Sequence, residues 1–284
     1  MKRLVVILGV AGVSLSAVFV RWSTAPSLIL VLYRVGLAAL LMAPPLFLRH
    51  REERLTRRDL GLCLASGACL GLHFAAYFES LRFTSIASSV VLVDTEVLFV
   101  ALGSVLLLGR RLTGRAWLAV LLAFGGSVVI ATADTAAGPD AVRGDLIALS
   151  GALCMAVYTM IGAVRRKHIS TAVYTFLVYC SAALTVLVIA LWSGTPLAGY
   201  GPVNLGTALG MAVFCTLLGH SVFSWGLKYL PPAFISTAKL LEPVLASAWG
   251  LLLFGERPGL PVLLGGAVII AGVALYGRAA SDET

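Results

Sequence analysis

Ten long apolar segments make up most of the chain, and they limit the folds that it can adopt. A hydrocarbon layer of ~30 Å is crossed by roughly 20 residues of helix. The segments lie near residues 4–20, 27–48, 60–80, 86–108, 116–133, 145–164, 172–193, 205–227, 233–254 and 260–277. A soluble core would bury only a few such helices, and here 60% of the residues are hydrophobic and 12% are charged. The pattern therefore predicts an all-α integral membrane protein with ten transmembrane helices.

The N-terminal stretch MKRLVVILGVAGVSLSAVFV begins with two basic residues and continues as an apolar run, as a signal peptide does. Its apolar part is longer than a typical signal-peptide core, and further apolar segments follow. We therefore expect an uncleaved first helix that ends at a membrane interface near Arg21 and Trp22. The five cysteines fall inside apolar segments without metal-ligand spacing, and we interpret them as small apolar filler.

Several functional classes find no support in the sequence. The net charge of +8 comes from short basic clusters between apolar segments, not from the continuous basic face of a nucleic-acid-binding protein. The phosphate-binding pattern GxxxxGK[ST] is missing, and so are the hydrolase patterns HExxH and GxSxG. We therefore expect no enzyme, no nucleic-acid partner, and no cofactor, metal or nucleotide.

Lysine and arginine in the loops predict the orientation of the helices. If the N-terminus is inside, 15 of the 21 basic residues fall on the cytoplasmic side and two, Arg34 and Lys239, lie within helices. The outer side then carries Arg21, Arg82, Arg143 and Arg257. Cytoplasmic loops are enriched in lysine and arginine. We expect both termini in the cytoplasm and the chain in a bacterial inner membrane.

The two halves of the chain resemble each other at an offset of 146 residues. At this offset LRFTSIASSVVLVDTEVLFVALGSVLLLGRRL lies over LKYLPPAFISTAKLLEPVLASAWGLLLFGERP without a gap, and Glu96 lies over Glu242. Each half holds five helices, so the second copy must enter the membrane from the opposite side. We predict two inverted five-helix repeats around a central cavity, at residues 1–133 and 145–284, with an outer linker at 134–144. Such repeats are typical of transporters.

Short motifs in both halves are similar to those of the drug/metabolite transporter superfamily, EamA type. They are Tyr33-Arg34, Gly144-Asp145-Leu146, Glu242-Pro243, Gly255-Glu256-Arg257 and GGAVIIAGVAL at 265–275. The first half departs from the family pattern, because Val97 stands where proline is usual and Arg110 where glutamate is usual. The resemblance implies a ten-helix secondary transporter of small metabolites, often an exporter, with its cavity between the two halves.

Ionisable residues inside the helices form three layers in depth, at the helical rise of about 1.5 Å per residue. Arg34, His73 and Asp94 lie towards the outer side, Glu96 and Glu242 near the midplane, and His220 and Lys239 towards the inner side. Charges at this depth are costly and face a cavity or a partner. Three carboxylates against two basic groups leave one negative charge in excess, so one carboxyl either stays protonated or takes up protons and cations in turn.

We assign these residues two kinds of role. Asp94 and Glu96 are two positions apart, about 200° around a helix, and cannot both face one cavity. We expect Asp94 to pair with Arg34 as a structural lock and Glu96 to line the cavity, although Arg34 as a substrate ligand stays an alternative. His73 and His220 are either substrate-binding or coupling residues, or core histidines with satisfied hydrogen bonds.

Glu242 directly precedes a proline within an apolar helix. Pro243 cannot donate a hydrogen bond to the carbonyl of Lys239, so the helix is expected to bend there. We interpret Glu242 as a proton or substrate contact beside a flexible point. The alternative is a packed kink in which Glu242 pairs with Lys239. Lys239, Glu242, Ala246 and Trp249 are spaced to share one helix face.

Aromatic residues are candidates to line the cavity, although each of them alone is more often a packing residue. They are Tyr77, Tyr158, Tyr179, Phe223 and Trp249. The preferred function is secondary transport, proton-coupled or facilitative, of amino acids or related amphipathic compounds, with export expected. An exporter of cationic drug-like compounds and, third, a channel remain alternatives. The partners expected are a small-molecule substrate, protons as a candidate coupling ion, and the lipid bilayer, with the oligomeric state left open.

Overall fold

The computed structural model describes residues 1–49, 53–84, 86–131 and 140–279. Within these ranges ten helical segments are long and apolar enough to cross a membrane. We number them span 1 to span 10 in chain order: Lys2–Trp22, Ser27–Leu48, Arg57–Ser80, Ser88–Leu106, Gly114–Ala131, Ala141–Arg165, Thr171–Trp192, Gly201–Gly226, Pro232–Phe254 and Leu260–Ala279. The predicted all-α fold with ten spans is confirmed.

Each predicted segment overlaps one span, and the differences are a few residues at the ends. Span 6 begins at Ala141, whereas the sequence predicted a start at 145, and span 8 begins at Gly201, whereas the prediction was 205. Of the predicted outer linker 134–144, residues 134–139 lie outside the described ranges.

Apolar side chains cover the outside of the bundle and charged side chains lie within it. Leu40, Leu106 and Leu252 are each about 70% exposed. Arg34 and Glu96, in contrast, are only 3% and 6% exposed. This inversion of the soluble pattern is expected when lipid is the solvent, because charged groups then avoid the outer surface.

The contacts between spans follow the internal repeat. Span 1 packs against span 8, and span 6, its counterpart in the second half, packs against span 3, the counterpart of span 8. Spans 2 and 7, spans 4 and 9, and spans 5 and 10 each pack counterpart against counterpart. Two five-helix repeats in opposite orientations, related by an axis in the membrane plane, produce this set of contacts.

Glycines bring spans 5 and 10 into backbone contact. A Cβ atom added at Gly126 would lie 2.6 Å from the carbonyl oxygen of Gly265, and one added at Gly272 would lie 2.6 Å from the amide nitrogen of Ala123. Small residues allow this approach in membranes, where helices associate through packing because lipid removes most of the hydrophobic driving force. No larger residue fits at these positions without moving one of the two helices.

We expect Gly126→Ala to destabilise the protein by roughly 1–3 kcal/mol, because the added methyl group separates spans 5 and 10. The neighbouring Gly125 is the matched control, since a Cβ atom added there meets no atom within 4 Å. Gly125→Ala should therefore be neutral or slightly stabilising, as alanine favours a helix over glycine. Thermal unfolding of both variants in one detergent measures the difference. Equal unfolding temperatures would contradict the packing argument.

Spans 4 and 9 are both interrupted at the same place in the repeat. Span 4 consists of helices Ile86–Asp94 and Glu96–Leu106, and span 9 consists of helices Pro232–Lys239 and Glu242–Phe254. Glu96 and Glu242 are therefore each the first residue of the second helix of their span. A carboxylate is favoured at a helix N-terminus by the helix dipole.

Different residues interrupt the two spans. In span 9, Pro243 lacks the N–H group that would continue the hydrogen-bond ladder. Span 4 has Val97 at the matching position, and there the Thr95 hydroxyl donates to the carbonyl oxygen of Leu92 at 2.5 Å. Such back-bonding by threonine competes with the main-chain ladder and bends helices. The interruption therefore belongs to both repeats and does not require proline.

Span 8 contains a wider turn. Its middle section, Met211–His220, is a π-helix between α-helices Gly201–Gly210 and Ser221–Gly226. Span 1 has a smaller irregularity at Leu15, between helices Lys2–Ser14 and Ser16–Trp22. π-helical segments are rare and occur frequently at functional sites.

Candidate functional site

A buried ion pair joins the two interrupted spans at their breaks. Lys239 Nζ lies 2.6 Å from Glu96 Oε1 and 2.7 Å from Oε2, and the side chains are only 13% and 8% exposed. The Ser236 hydroxyl donates to Glu96 Oε1 at 2.7 Å. Lys239 ends one helix and Glu96 begins another, so the helix dipoles favour both charges. The sequence named Glu96 and Lys239 as site residues but did not predict that they pair.

Glu242 takes no part in this ion pair. Because Lys239 is bound to Glu96, the alternative in which Lys239 pairs with Glu242 is wrong. Among the residues that the structure describes, no basic group lies within ion-pair distance of Glu242. Glu242 is thus a half-buried carboxyl group without a direct countercharge.

The predicted lock between Asp94 and Arg34 is wrong. Asp94 accepts a hydrogen bond from the Ser127 hydroxyl of span 5. Arg34 donates from Nε to the Thr216 hydroxyl of span 8 at 2.7 Å. The sequence could predict that the two residues lie at a similar depth. It could not predict the rotation of their helices, which turns the two side chains towards different neighbours. Asp94 and Glu96 do have separate partners, on span 5 and span 9.

The π-helix of span 8 shapes the surroundings of Arg34. Thr216 donates to the carbonyl oxygen of Met211, five residues earlier, at 3.2 Å, and accepts from Arg34. The Tyr179 hydroxyl donates to the Thr216 carbonyl oxygen at 3.2 Å. The Arg34 guanidinium also lies over the ring of Phe74, with Cζ 4.8 Å from the ring centre. The sequence did not predict a role for Thr216, because no residue pattern there indicates a π-helix.

The two histidines have different surroundings. His73 Nδ1 lies 3.1 Å from the carbonyl oxygen of Gly151, which matches a core histidine with a satisfied nitrogen. His220 is 4% exposed, and its Nδ1 atom has no hydrogen-bond partner among the described atoms. Its ring is surrounded by those of Phe74, Phe223 and Tyr158, with centres 5.6, 5.9 and 6.5 Å away.

The hydroxyl groups of the predicted aromatic residues cross-link neighbouring spans. The Tyr158 hydroxyl lies 3.1 Å from Ser224 Oγ, and the Tyr179 hydroxyl lies 2.8 Å from Ser221 Oγ. On span 9, Trp249 Nε1 donates to Ser14 Oγ of span 1 at 2.9 Å. Lys239 binds Glu96 of span 4 instead. Lys239 and Trp249 therefore have partners on different spans.

Hydroxyl side chains are the part of the site that sequence reasoning missed. Ser236 binds Glu96, Ser127 binds Asp94 and Thr216 binds Arg34. One signal was present, because Ser236 lies three residues before Lys239 and therefore on the same side of its helix. Serine and threonine are common in membrane helices, so their type alone does not separate these three from the others.

The Gly255-Glu256-Arg257 motif contributes to contacts at the end of the bundle that was predicted to be outer. Gly255 ends its helix at φ +69°, a conformation that favours glycine. Glu256 forms an ion pair with Arg21, whose guanidinium lies over the ring of Phe254, with Cζ 4.1 Å from the ring centre. The motif therefore links the ends of spans 1 and 9.

A second set of contacts ties together the opposite end of the bundle. Arg165 at the end of span 6 forms a half-buried ion pair with Asp59 of span 3, with Nη1 and Oδ1 2.7 Å apart. Arg166 is 1% exposed and donates from Nε to the carbonyl oxygen of Ser224 at 2.9 Å. Polar contacts thus connect spans at both ends, with the Glu96–Lys239 pair between them.

Two cavities among the described residues, of about 240 and 290 Å³, are lined mainly by apolar residues. One lies beside Ile7, Phe234 and Ile270, and the other beside Leu62, Leu107 and Ile161. None of the predicted site residues lines either cavity. Within the described part of the chain, no three histidine, cysteine, aspartate or glutamate residues are grouped as metal ligands.

Ten spans in two opposed repeats, interrupted at mid-depth beside buried charges, define a polytopic membrane protein with the architecture of a secondary transporter. Comparison with known proteins agrees with this class. The chain belongs to the EamA-like transporter family, whose sequence profile matches residues 2–132 and 142–278. The predicted family, within the drug/metabolite transporter superfamily, is confirmed.

Several relatives are similar over most of their length. An uncharacterised protein of Pseudomonas aeruginosa is 30% identical over 88% of this chain and 85% of its own. An uncharacterised transporter of Archaeoglobus fulgidus is 25% identical over 87% and 86%. The pseudopaline exporter CntI of Pseudomonas aeruginosa is 24% identical over 90% and 88%. One solved crystal structure has the same fold, with a TM-score of 0.85, 18% identity, and coverage of 99% of this chain and 98% of the other.

Proposed function

We propose that this transporter exports small amphipathic metabolites, amino acids or related compounds among them, by alternating access coupled to protons. The observation that carries the proposal is the polar centre at the breaks of spans 4 and 9. There Glu96 and Lys239 hold the two repeats together while Glu242, beside Pro243, has no direct countercharge among the described residues. A carboxyl group in this position can exchange a proton or bind a cationic group when the two halves move.

The charges at the centre support a substrate of mixed charge. Arg34 offers a buried basic group and Glu242 a half-buried acidic one, and neither has an ion-pair partner among the described residues. Phe74 and Tyr77 add aromatic surface near the same charges. An amphipathic compound that carries an ammonium and a carboxylate group would match this arrangement. The export direction is supported by the name of the related pseudopaline exporter.

We expect labelled amino acids outside proteoliposomes to accumulate several-fold faster when the lumen contains unlabelled amino acids. A carrier exchanges substrate across its two states, whereas a channel gives no such stimulation. Flux that is equal with and without internal substrate would contradict alternating access. Empty liposomes and liposomes with heat-denatured protein provide the background.

Export of cationic drug-like compounds is a second candidate, because the interior holds three carboxyl groups against two basic groups. The same liposomes distinguish the two candidates. Stimulated uptake of a quaternary ammonium dye without uptake of any amino acid would favour the cationic substrate.

We also propose that the chain resides in the bacterial inner membrane with both termini in the cytoplasm. The bias of lysine and arginine towards one set of loops supports this orientation. The linker between the two repeats is proposed to lie at residues 134–144. Labelling of a cysteine added at the C-terminus with an impermeant reagent tests the orientation, and labelling in intact cells would contradict it.

A further inference from the structure

Two buried nitrogen atoms near the polar centre have no hydrogen-bond partner among the atoms that the structure describes. They are Arg34 Nη2 and His220 Nδ1, whose side chains are 3% and 4% exposed. Buried polar atoms are nearly always hydrogen-bonded, because a buried atom without a partner has lost its water. Each of these two atoms therefore needs a physical explanation.

Both groups contact the same aromatic ring. The Arg34 guanidinium carbon lies 4.8 Å from the centre of the Phe74 ring, and the centre of the His220 ring lies 5.6 Å from it. Both side chains thus pack against the Phe74 ring.

The Arg34 guanidinium is held on one edge only. Its Nε atom donates to the Thr216 hydroxyl at 2.7 Å, which orients the planar group. A guanidinium carries five N–H donors in a fixed fork, and the Nη2 end is the part that suits a carboxylate. The π-helix that places Thr216 therefore orients Arg34 without occupying this end.

No carboxylate among the residues that the structure describes neutralises Arg34 directly. Glu96 is bound by Lys239 and Asp94 by Ser127, and within the described ranges no acidic group forms an ion pair with Arg34. A charge buried at membrane depth is costly unless it has a partner or faces an aqueous path. Arg34 is therefore a buried basic group without an ion-pair partner among the described residues.

We propose that Arg34 Nη2 and His220 Nδ1 form a subsite for the carboxylate group of the transported molecule. This inference rests on the proposed transport of mixed-charge metabolites and assigns their negative end. His220 donates to the carboxylate in the tautomer that carries the proton on Nδ1. Glu242 then receives the ammonium end, and Phe74 contacts the apolar part between them.

Matched probes test the subsite. L-leucine and L-phenylalanine are each compared with the amine that lacks the carboxylate, isopentylamine or 2-phenylethylamine. Each is also compared with the acid that lacks the ammonium group, 4-methylpentanoate or 3-phenylpropanoate. Binding is measured as thermal stabilisation of the detergent-purified full-length protein, and transport as counterflow in proteoliposomes. The variants are Arg34→Gln, Arg34→Lys and His220→Asn, and Arg21→Gln at the exposed outer end is the control.

The wild type should bind the amino acids and the acids more tightly than the amines. Arg34→Gln should weaken binding of the carboxylate probes about tenfold to a hundredfold, as expected for loss of a charged hydrogen bond, and leave binding of the amines unchanged. Arg34→Lys should retain part of the affinity, because it keeps the charge without the fork. His220→Asn should weaken binding of the same probes less than Arg34→Gln, and Arg21→Gln should match the wild type.

The subsite is overturned if no carboxylate probe binds, if the amines bind as tightly as the acids, or if Arg34→Gln leaves the preference for acids unchanged. Carboxylate binding without counterflow would instead overturn the transport proposal while the subsite stands. Counterflow without any preference between acids and amines would overturn the subsite while the transport proposal stands. The unfolding temperature without probe shows whether Arg34→Gln is folded, and Arg34→Lys and His220→Asn provide the same test if it is not.

Discussion

Glu242→Gln should abolish the response of transport to a pH gradient while the protein remains in the membrane. Glutamine has nearly the shape of glutamate but cannot gain or lose a proton. Glu242 is the candidate for this exchange because, among the described residues, it has no ion-pair partner, whereas Glu96 is bound to Lys239. It lies beside Pro243 at the break in span 9, where the main-chain hydrogen-bond ladder is interrupted. Uptake by proteoliposomes with and without an imposed pH gradient measures the effect.

Glu79→Gln is the matched control. Glu79 lies at the end of span 3 and pairs with exposed Arg82 at 2.9 Å, away from the polar centre. Its substitution should leave the pH response and the rate unchanged. If Glu242→Gln retains full pH dependence with normal amounts of folded protein, Glu242 has no role in coupling.

Lys239→Met should destabilise the protein by about 3–5 kcal/mol, because it leaves the Glu96 carboxylate buried without its countercharge. The pair joins spans 4 and 9, so its loss should also loosen the contact between the two repeats. Chemical or thermal unfolding in detergent, with amounts normalised by size-exclusion chromatography, measures the loss. Arg82→Met, which breaks the exposed pair with Glu79, should stay within about 1 kcal/mol of the wild type.

A double-mutant cycle separates the pair from its surroundings. Glu96→Gln alone leaves the Lys239 charge unpaired, and we expect a loss similar to that of Lys239→Met. The double variant carries neither charge, and a glutamine can still accept from Ser236, so most of the stability should return. If the losses of the two single variants simply add in the double variant, the two side chains do not act as a pair.

The position of each ionisable residue within an apolar span followed from the sequence, but its partner did not. Glu96, Lys239, Asp94 and Arg34 were placed correctly inside spans, because charge and apolar length are linear properties of the chain. Their pairing depends on the rotation of each helix about its axis and on which helix lies beside it. Depth alone suggested Asp94 with Arg34, whereas the structure pairs each with a hydroxyl group on a different span.

The break in span 4 is a local feature that the sequence likewise did not predict. Pro243 predicted the break in span 9, because proline has no N–H group to continue the helix hydrogen bonds. Val97 offers no such signal, and the helix is interrupted at Thr95 through a side-chain hydrogen bond that many threonines in helices do not make. The π-helix over Met211–His220 could not be predicted either. No residue type in it distinguishes hydrogen bonds to the fifth preceding residue from hydrogen bonds to the fourth.

The amino-acid sequence by itself determined the ten spans, the repeat and the family, because hydrophobic length, residue identity at a fixed offset and short motifs are all read along the chain. Only the tertiary structure decided that Lys239 binds Glu96, that Arg34 turns towards Thr216 and Phe74, and that Glu242 is left without a countercharge among the described residues. The reason is that a buried charge takes its partner from the helix packed beside it. In a bundle of apolar helices, glycine contacts and helix rotation determine which helix that is.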